Sequence, residues 1–162
     1  IFGFGAASIT MIGINFGAQK YTRGLRIGWM GASFSFILCG IIGGAISLFP
    51  DIWTNLFSNN ESVIVICKLY LQIIGPFYAF FGLGQALYFA SQGAGKMLWP
   101  IMASVIRLTT IFVGTLYLSY TDVFSVAAIF WLISLSLFLY AMVSTIAIWM
   151  GAWNIDNSNT IK

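Results

Sequence analysis

Four polar or charged side chains in otherwise apolar stretches of the sequence are the candidates for chemistry. Tyr78, Gln85 and Gln92 share one heptad-spaced stripe of a long apolar segment, and Arg107 lies well inside the next segment. The other positions of the stripe are glycine or apolar: Leu71, Gly75, Gly82 and Phe89. Polar groups at membrane depth usually face protein or a water-filled cavity. The pattern therefore makes all four side chains candidates for lining a substrate cavity.

Each candidate also has a purely structural interpretation. Tyr78 and Gln85 could hydrogen-bond to a neighbouring helix without facing any cavity. Arg107 could extend its side chain toward the membrane surface, or pair with a carbonyl group at a helix end. The residues by themselves leave both interpretations open.

Gly75 and Pro76 interrupt the segment that carries the stripe. Proline lacks a backbone N–H and breaks the helical hydrogen-bond ladder, which frees a carbonyl oxygen near Leu71 or Gln72. Interrupted helices with polar faces line the cavities of transporters. We therefore predict a hinge or kink at Gly75 and Pro76.

The composition indicates the environment of these residues. Of 162 residues, 60% are hydrophobic and only seven basic and four acidic residues are present, whereas a soluble domain of this size carries about 40 charged residues. Histidine is absent, and the two cysteines, Cys39 and Cys67, lie in apolar stretches. No set of metal ligands and no pair of nucleophile and base is apparent. We expect a membrane protein that is not an enzyme and needs no cofactor or metal.

The apolar stretches are long enough to cross a bilayer as helices, since backbone polar groups in lipid must bond within their own segment. Four of them run over 27–49, 63–90, 98–120 and 124–150. A fifth, 1–14, is too short, and we interpret it as the end of a helix whose beginning is missing. The predicted fold class is an all-α polytopic membrane protein. It is a helical bundle of one partial and four complete transmembrane helices, forming a single membrane domain over 1–162.

The loops between these segments alternate in charge. Loops 16–26 and 91–97 hold basic residues, whereas loop 50–62 and the loop near Thr121 hold only acids. The residues concerned are Lys20, Arg23, Arg26 and Lys96 against Asp51, Glu61 and Asp122, with Asp156 and Lys162 in the tail. By the positive-inside rule, the basic loops and the C-terminus face the cytoplasm of a plasma (inner) membrane. We expect the lipid bilayer and a small organic substrate as partners, and no nucleic acid, because no basic stripe lies on a soluble face.

Residues near the segment ends are typical of a membrane interface. Aromatic anchors are predicted at both ends: Trp29, Trp99, Trp149 and Trp153 near the cytoplasm, and Trp53, Tyr117 and Tyr120 outside. Lys68 can reach the interface along its long stem. We also expect close helix packing along small residues of two segments: Gly28, Ala32, Ser35, Cys39 and Gly43, then Ser134, Ala141, Ser144 and Thr145.

Three motifs occur in a characteristic order. The first is Gly13-Ile14-Asn15-Phe16-Gly17-Ala18, which basic residues follow. The second is Leu48-Phe49 before an acidic loop, and the third is Gln92-Gly93-Ala94-Gly95-Lys96 with Pro100 beyond it. By these motifs the chain, over nearly its whole length, resembles the multidrug and toxic compound extrusion (MATE) family. Arg107 is similar to a basic residue that is frequent in the following helix of that family.

The resemblance implies a protein of twelve helices in two six-helix lobes, of which this chain is part of the C-terminal lobe, from the end of helix 8 to helix 12. It implies a secondary antiporter that exports drugs or other cationic or amphipathic compounds in exchange for H+ or Na+ by alternating access. Many members carry a key carboxylate in the first helix, and some sodium-coupled members carry an aspartate in helix 10. That second position falls near Gly82, where this chain has no acid. The resemblance therefore favours coupling through the N-terminal lobe, the missing partner of this chain.

Two alternative functions remain. A flippase for lipid-linked saccharides, from the same superfamily, usually lines its cavity with more basic residues than Arg107 alone. A non-transporting membrane scaffold subunit is compatible with the small-residue faces, although the polar stripe and the break at Gly75 and Pro76 favour a transporter.

Overall fold

The regular elements of the structure are all helical in the part of the chain that the computed structural model describes, residues 2–57, 60–121 and 125–153. They are α1 (Phe2–Gly17), α2 (Tyr21–Leu48), α3 (Pro50–Phe57), α4 (Glu61–Ile74), a 3-10 turn (Gly75–Phe77), α5 (Tyr78–Gly93), α6 (Leu98–Ser119) and α7 (Val126–Trp149). Four segments are long and apolar enough to cross a membrane. They are α2, the segment Glu61–Gly93 formed by α4 and α5 together, α6, and α7. The predicted all-α polytopic fold class is confirmed.

The helix boundaries differ from the predicted spans chiefly at one place. Helix α2 begins at Tyr21, six residues before the predicted start, so that Arg23 and Arg26 lie in its first two turns. The predicted start of the last span at Phe124, and the predicted loop and tail charges Asp122, Asp156 and Lys162, lie outside the described residues.

Helix α5 lies at the centre of the bundle. It packs against α1, α2 and α7, while α4 packs between α2 and α7, and α6 packs mainly against α7. We call the two ends of the bundle the α3 end, which holds α3 and the start of α4, and the Trp153 end, which holds the turns at 18–20 and 94–97 and residue Trp153.

The predicted small-residue face of α2 forms the contact with α5. Ser35 is buried and Cys39 is half-buried, and the other members are also buried: Gly28, Ala32 and Gly43. A Cβ atom at Gly82 of α5 would lie 2.7 Å from the Cys39 sulfur and 2.7 Å from the Ser35 carbonyl oxygen. The two helices therefore approach at a distance that only glycine permits at position 82.

The predicted face of α7 also packs inward. Ser134, Ala141 and Ser144 are buried, and Thr145 is half-buried. The buried hydroxyls of Ser134 and Ser144 bond to carbonyl oxygens one turn earlier in α7, at 3.0 and 2.9 Å. These small side chains thus bring neighbouring helices close while the two serine hydroxyls stay paired. The buried Oγ1 of Thr145, by contrast, has no hydrogen-bond partner in the described structure.

The connection after α2 contains a helix that the sequence analysis did not predict. Residues of the loop assigned to 50–62 form α3, which starts with proline and carries Asp51 in its first turn. Both features favour the N-terminus of a helix. Ile52, Trp53 and Leu56 are exposed on α3, and Asp51 forms an ion pair with Lys68 of α4. Lys68 therefore bonds within the protein as well as lying near the end of its span.

One of the predicted interfacial anchors is instead part of the core. Trp153 is only 4% exposed and belongs to a buried cluster that includes Ile12, Ala32 and Ile148. Trp149, by contrast, is 82% exposed. The prediction for Trp153 was wrong because the chain turns back after α7, through Gly151 with φ of 89°, and inserts the indole between other helices.

Candidate functional site

The candidate site lies on one face of α5, which we call the open face and define as Tyr78, Phe81, Gln85 and Tyr88. All four side chains are half-buried. The other sides of α5 hold its buried residues: Ala79, Gly82, Gly84, Ala86, Leu87, Ala90 and Ser91. The polar side chains of α5 are therefore concentrated where its neighbours leave it partly uncovered.

Two neighbouring helices border the open face. One turn beyond Gln85 toward the Trp153 end, Phe89 of α5 contacts Phe2 of α1, with ring centroids 5.8 Å apart. One turn in the other direction, Phe81 contacts Arg107 of α6. Helix α6 meets α5 only along a short stretch, and Gln85 between these two contacts is half-buried.

Gln85 lies one helical turn from both Phe81 and Phe89. Its side chain makes no hydrogen bond with any other described residue. A glutamine that merely joined two helices would bond to its neighbour. Its free donors and acceptor make it the side chain of this face that is best suited to bind a polar ligand.

Tyr78 is held differently. Its hydroxyl group and that of Tyr70 on α4 are 2.9 Å apart and hydrogen-bonded. Its ring also contacts Phe81, with centroids 6.5 Å apart. The hydroxyl bond spans the break between α4 and α5, so that Tyr78 contributes to the shape of the break as well as to the open face.

Arg107 reaches across to two other helices. Its guanidinium carbon lies 5.6 Å from the ring centroid of Phe81 on α5 and 5.8 Å from that of Tyr140 on α7. These distances are within the range of cation–π contacts. Its Nε atom is buried and has no hydrogen-bond partner in the described structure. Neither of the structural interpretations, extension to the membrane surface or pairing with a carbonyl, describes this arrangement.

The fourth candidate, Gln92, is exposed in the last turn of α5. It belongs to the Trp153 end, where two of the family-like motifs meet. A Cβ atom at Gly93 would lie 2.6 Å from the carbonyl oxygen of Ile9, and one at Gly13 would lie 3.5 Å from that of Gly93. Gly95 ends the helix with φ of 69°, a conformation that favours glycine. The glycines of these motifs therefore bring α1 and α5 together and turn the chain.

The break at Gly75 and Pro76 is a single 3-10 turn. Pro76 has no N–H to offer the carbonyl oxygen of Gln72, and the hydroxyl of Ser47 on α2 donates a hydrogen bond to this oxygen at 3.1 Å. On the other side, Ser134 of α7 donates a weaker bond to the carbonyl oxygen of Ile73 at 3.4 Å. Two neighbouring helices therefore bond to backbone groups beside the break.

Acidic groups lie far from the open face in the described ranges. Asp51 and Glu61 are both in the first turn of helices at the α3 end. No group of three or more metal-ligating side chains of His, Cys, Asp or Glu occurs among the residues that the structure describes. The chemistry of this site therefore consists of hydrogen bonding, aromatic contact and one positive charge.

Sequence reasoning missed a cavity of about 430 Å³ at the α3 end. Ile46 of α2, Trp53 of α3 and Leu71 of α4 are among its mostly apolar lining residues. The cavity depends on α3 packing over α4. The signal available in the sequence was the spacing of Ile52, Trp53 and Leu56, which places apolar residues one turn apart.

Comparison with known proteins places these features in a family. A sequence model of the family described as MatE matches residues 1–118. The chain is 30% identical over 112 residues to a protein of Thermotoga maritima named "Probable multidrug resistance protein NorM", a match that covers 67% of this chain and 24% of that relative. The chain thus spans about a quarter of the length of the curated relative that it matches. No solved structure matches it.

The matched region includes every motif quoted above, all of α5, and α6 up to its last residue but one. It covers well over half of the chain. The proteins of this family are membrane transporters rather than enzymes. The chain therefore belongs to the multidrug and toxic compound extrusion (MATE) family and is a multi-pass membrane protein.

Proposed function

We propose that a protein containing this chain exports drugs or other cationic or amphipathic organic compounds in exchange for H+ or Na+. Family membership and the relative named a multidrug resistance protein support transport of this kind. The observation that carries the proposal is the open face of α5, where Gln85 is half-buried and has no partner among the described residues.

The mechanism that we propose is alternating access, in which one lobe rocks against the other around a central cavity. In this scheme the open face of α5 lines the cavity. The turn at Gly75–Phe77 joins two halves that share the neighbours α2 and α7, whereas α5 alone also packs on α1.

The coupling carboxylate is proposed to lie in the N-terminal lobe. Position 82, where some sodium-coupled relatives would carry an aspartate, is glycine here and is pressed against α2. An acidic side chain at this position would have to displace Cys39 or the backbone of Ser35. The packing supports the proposal that this lobe binds substrate but does not hold the coupling ion.

The orientation and location are part of the proposal. Lys20, Arg23, Arg26 and Lys96 lie at or near the Trp153 end, whereas Asp51 and Glu61 lie at the α3 end. The positive-inside rule therefore supports a cytoplasmic Trp153 end in the plasma (inner) membrane. The lipid-linked saccharide flippase is less well supported, because Arg107 is the single basic residue at the open face among the residues that the structure describes.

The test is an accumulation assay with the complete protein. Cells that lack their own exporters should accumulate less of a cationic fluorescent dye when they express it, and collapse of the proton or sodium gradient should restore accumulation. Equal dye accumulation with and without the protein, at verified expression, would contradict the export function. Export that survives collapse of both gradients would contradict antiport.

A further inference from the structure

We infer that Arg107 binds a carboxylate of the substrate, so that the preferred substrates are zwitterions carrying both a cationic group and a carboxylate. The inference rests on the proposed export function and specifies its substrate class. Three observations carry it: the depth of the guanidinium group, its contacts, and the distribution of acids.

The guanidinium group lies deep in the bundle. Arg107 is nine residues along α6 from Leu98, about 14 Å at 1.5 Å per residue. Phe81, which it contacts, is twelve residues from the end of α5 at Gly93, about 18 Å by the same rise. The charge is therefore not at the Trp153 end, where water would solvate it.

The contacts of the guanidinium group leave its hydrogen-bonding capacity unused. Phe81 and Tyr140 attract the cation through their ring electrons. Arginine has five N–H donors, and its buried Nε has no acceptor in the described structure. A buried donor without an acceptor is costly, and such groups commonly mark a site for a ligand or ion.

No carboxylate of the described residues lies near enough to neutralise Arg107. Asp51 pairs with Lys68, which is 13 residues from Phe81 along α4 and α5, about 20 Å. Glu61 is seven residues further away. These separations are several times the distance of about 4 Å at which an ion pair forms. Among the described residues, Arg107 thus has no acidic partner.

Carboxylate is the ligand that fits a guanidinium group best. Its two oxygens match two parallel N–H donors, and the resulting bonds are stronger than those between neutral groups. A ligand that carries only positive charge would gain no such bond at Arg107. A zwitterion could place its carboxylate at Arg107 and its remaining polar groups near Gln85, one turn along the open face from Phe81.

The test uses two dyes that differ only at the carboxyl group: a rhodamine methyl ester, which is cationic, and the corresponding rhodamine acid, which is zwitterionic. The complete protein is reconstituted into proteoliposomes, and transport of each dye is measured for the wild type and for Arg107→Gln. We expect the ratio of acid to ester transport to fall about tenfold in Arg107→Gln, as for loss of a charge-assisted hydrogen bond. Arg107→Lys keeps the charge without the planar donor fork, so its ratio should be intermediate.

Lys68→Gln provides the matched control, because Lys68 is a base within another spanning segment and pairs with Asp51 at the α3 end, away from the open face. Its acid to ester ratio should equal that of the wild type. Should Arg107→Gln fail to fold, dye binding to the purified wild type decides the matter, and the acid should bind about tenfold more tightly than the ester.

The outcomes separate the two proposals. An unchanged ratio in Arg107→Gln, or wild-type protein that carries the ester but not the acid, overturns the inference and leaves the export function standing. Equal loss of both dyes in well-folded Arg107→Gln also overturns it, and would assign the partner carboxylate to the protein itself. Wild-type protein that carries neither dye contradicts the export function.

Discussion

The indole Nε1 of Trp153 donates a hydrogen bond to the hydroxyl of Ser91, 3.1 Å away. The indole also lies against Phe16 of α1, with ring centroids 5.8 Å apart, and a Cβ atom at Gly28 of α2 would lie 2.9 Å from it. One side chain after the last helix therefore joins α1, α2 and α5 at the Trp153 end.

We expect Trp153→Ala to destabilise the protein by about 3 kcal/mol or more, because a large buried ring is removed and a cavity remains. The measurement is the Tm of the purified protein in detergent. Trp149→Ala is the control, since Trp149 is 82% exposed, and its Tm should stay close to that of the wild type. Similar Tm values for the two variants would show that Trp153 acts as an interfacial anchor after all.

Gly43 of α2 contacts the backbone of the break directly. A Cβ atom at Gly43 would overlap the carbonyl oxygen of Gly75. We therefore expect Gly43→Ala to push α2 away from the 3-10 turn and to cost about 1–3 kcal/mol of stability, as overpacking does in well-packed interiors. The Tm and the yield of folded protein should both fall.

Gly44→Ala is the control for that substitution. A Cβ atom at Gly44 would have no other atom within 4 Å, and alanine favours helix more than glycine does. Its Tm should equal or exceed that of the wild type. A loss of stability as large as that of Gly43→Ala would mean that any added methyl group on this helix is harmful, whatever its neighbour.

Gln85→Leu should reduce substrate export severalfold while leaving the amount of protein in the membrane nearly unchanged. The substitution keeps the size of the side chain and removes the free polar group of the open face. Export and membrane abundance are measured in the same cells. If both fall in proportion, Gln85 serves packing and the open face is not a cavity lining.

Gln72→Leu is the matched control for Gln85→Leu. The side chain of Gln72 is exposed on α4, and only its backbone oxygen takes part in the bond with Ser47. Export by this variant should match that of the wild type. A comparable loss of export would indicate that the substitution acts through general hydrophobicity.

The orientation predicts which positions a membrane-impermeant thiol reagent reaches. In a cysteine-free background, Asn60→Cys at the α3 end should be labelled from outside intact cells, and Thr22→Cys near the Trp153 end should be labelled only after permeabilisation. Both native residues are exposed. The opposite pattern would reverse the proposed topology.

The helices themselves were predictable because their signal is local. In lipid, the backbone N–H and C=O groups must form hydrogen bonds within their own segment. An uninterrupted apolar run such as 98–120 therefore already predicts a spanning helix. The break at Gly75 and Pro76 was likewise visible, because a missing N–H acts on the carbonyl one turn earlier, and Gln72 was among the residues expected to be freed. Helix α3 was not predicted, since eight residues carry too short a pattern to distinguish a helix from a polar loop.

Composition and hydropathy were enough to predict the environment, the number of spans and the residues that are polar at membrane depth. Which of these residues meet depends on the packing of the helices. Arg107 is 26 residues from Phe81 and 33 from Tyr140 in the chain, and their contact depends on how α5, α6 and α7 pack. Trp153 looked like an interfacial anchor because aromatic residues near helix ends usually are. Whether a side chain is buried depends on the residues that folding brings next to it, and a local sequence pattern does not identify those residues.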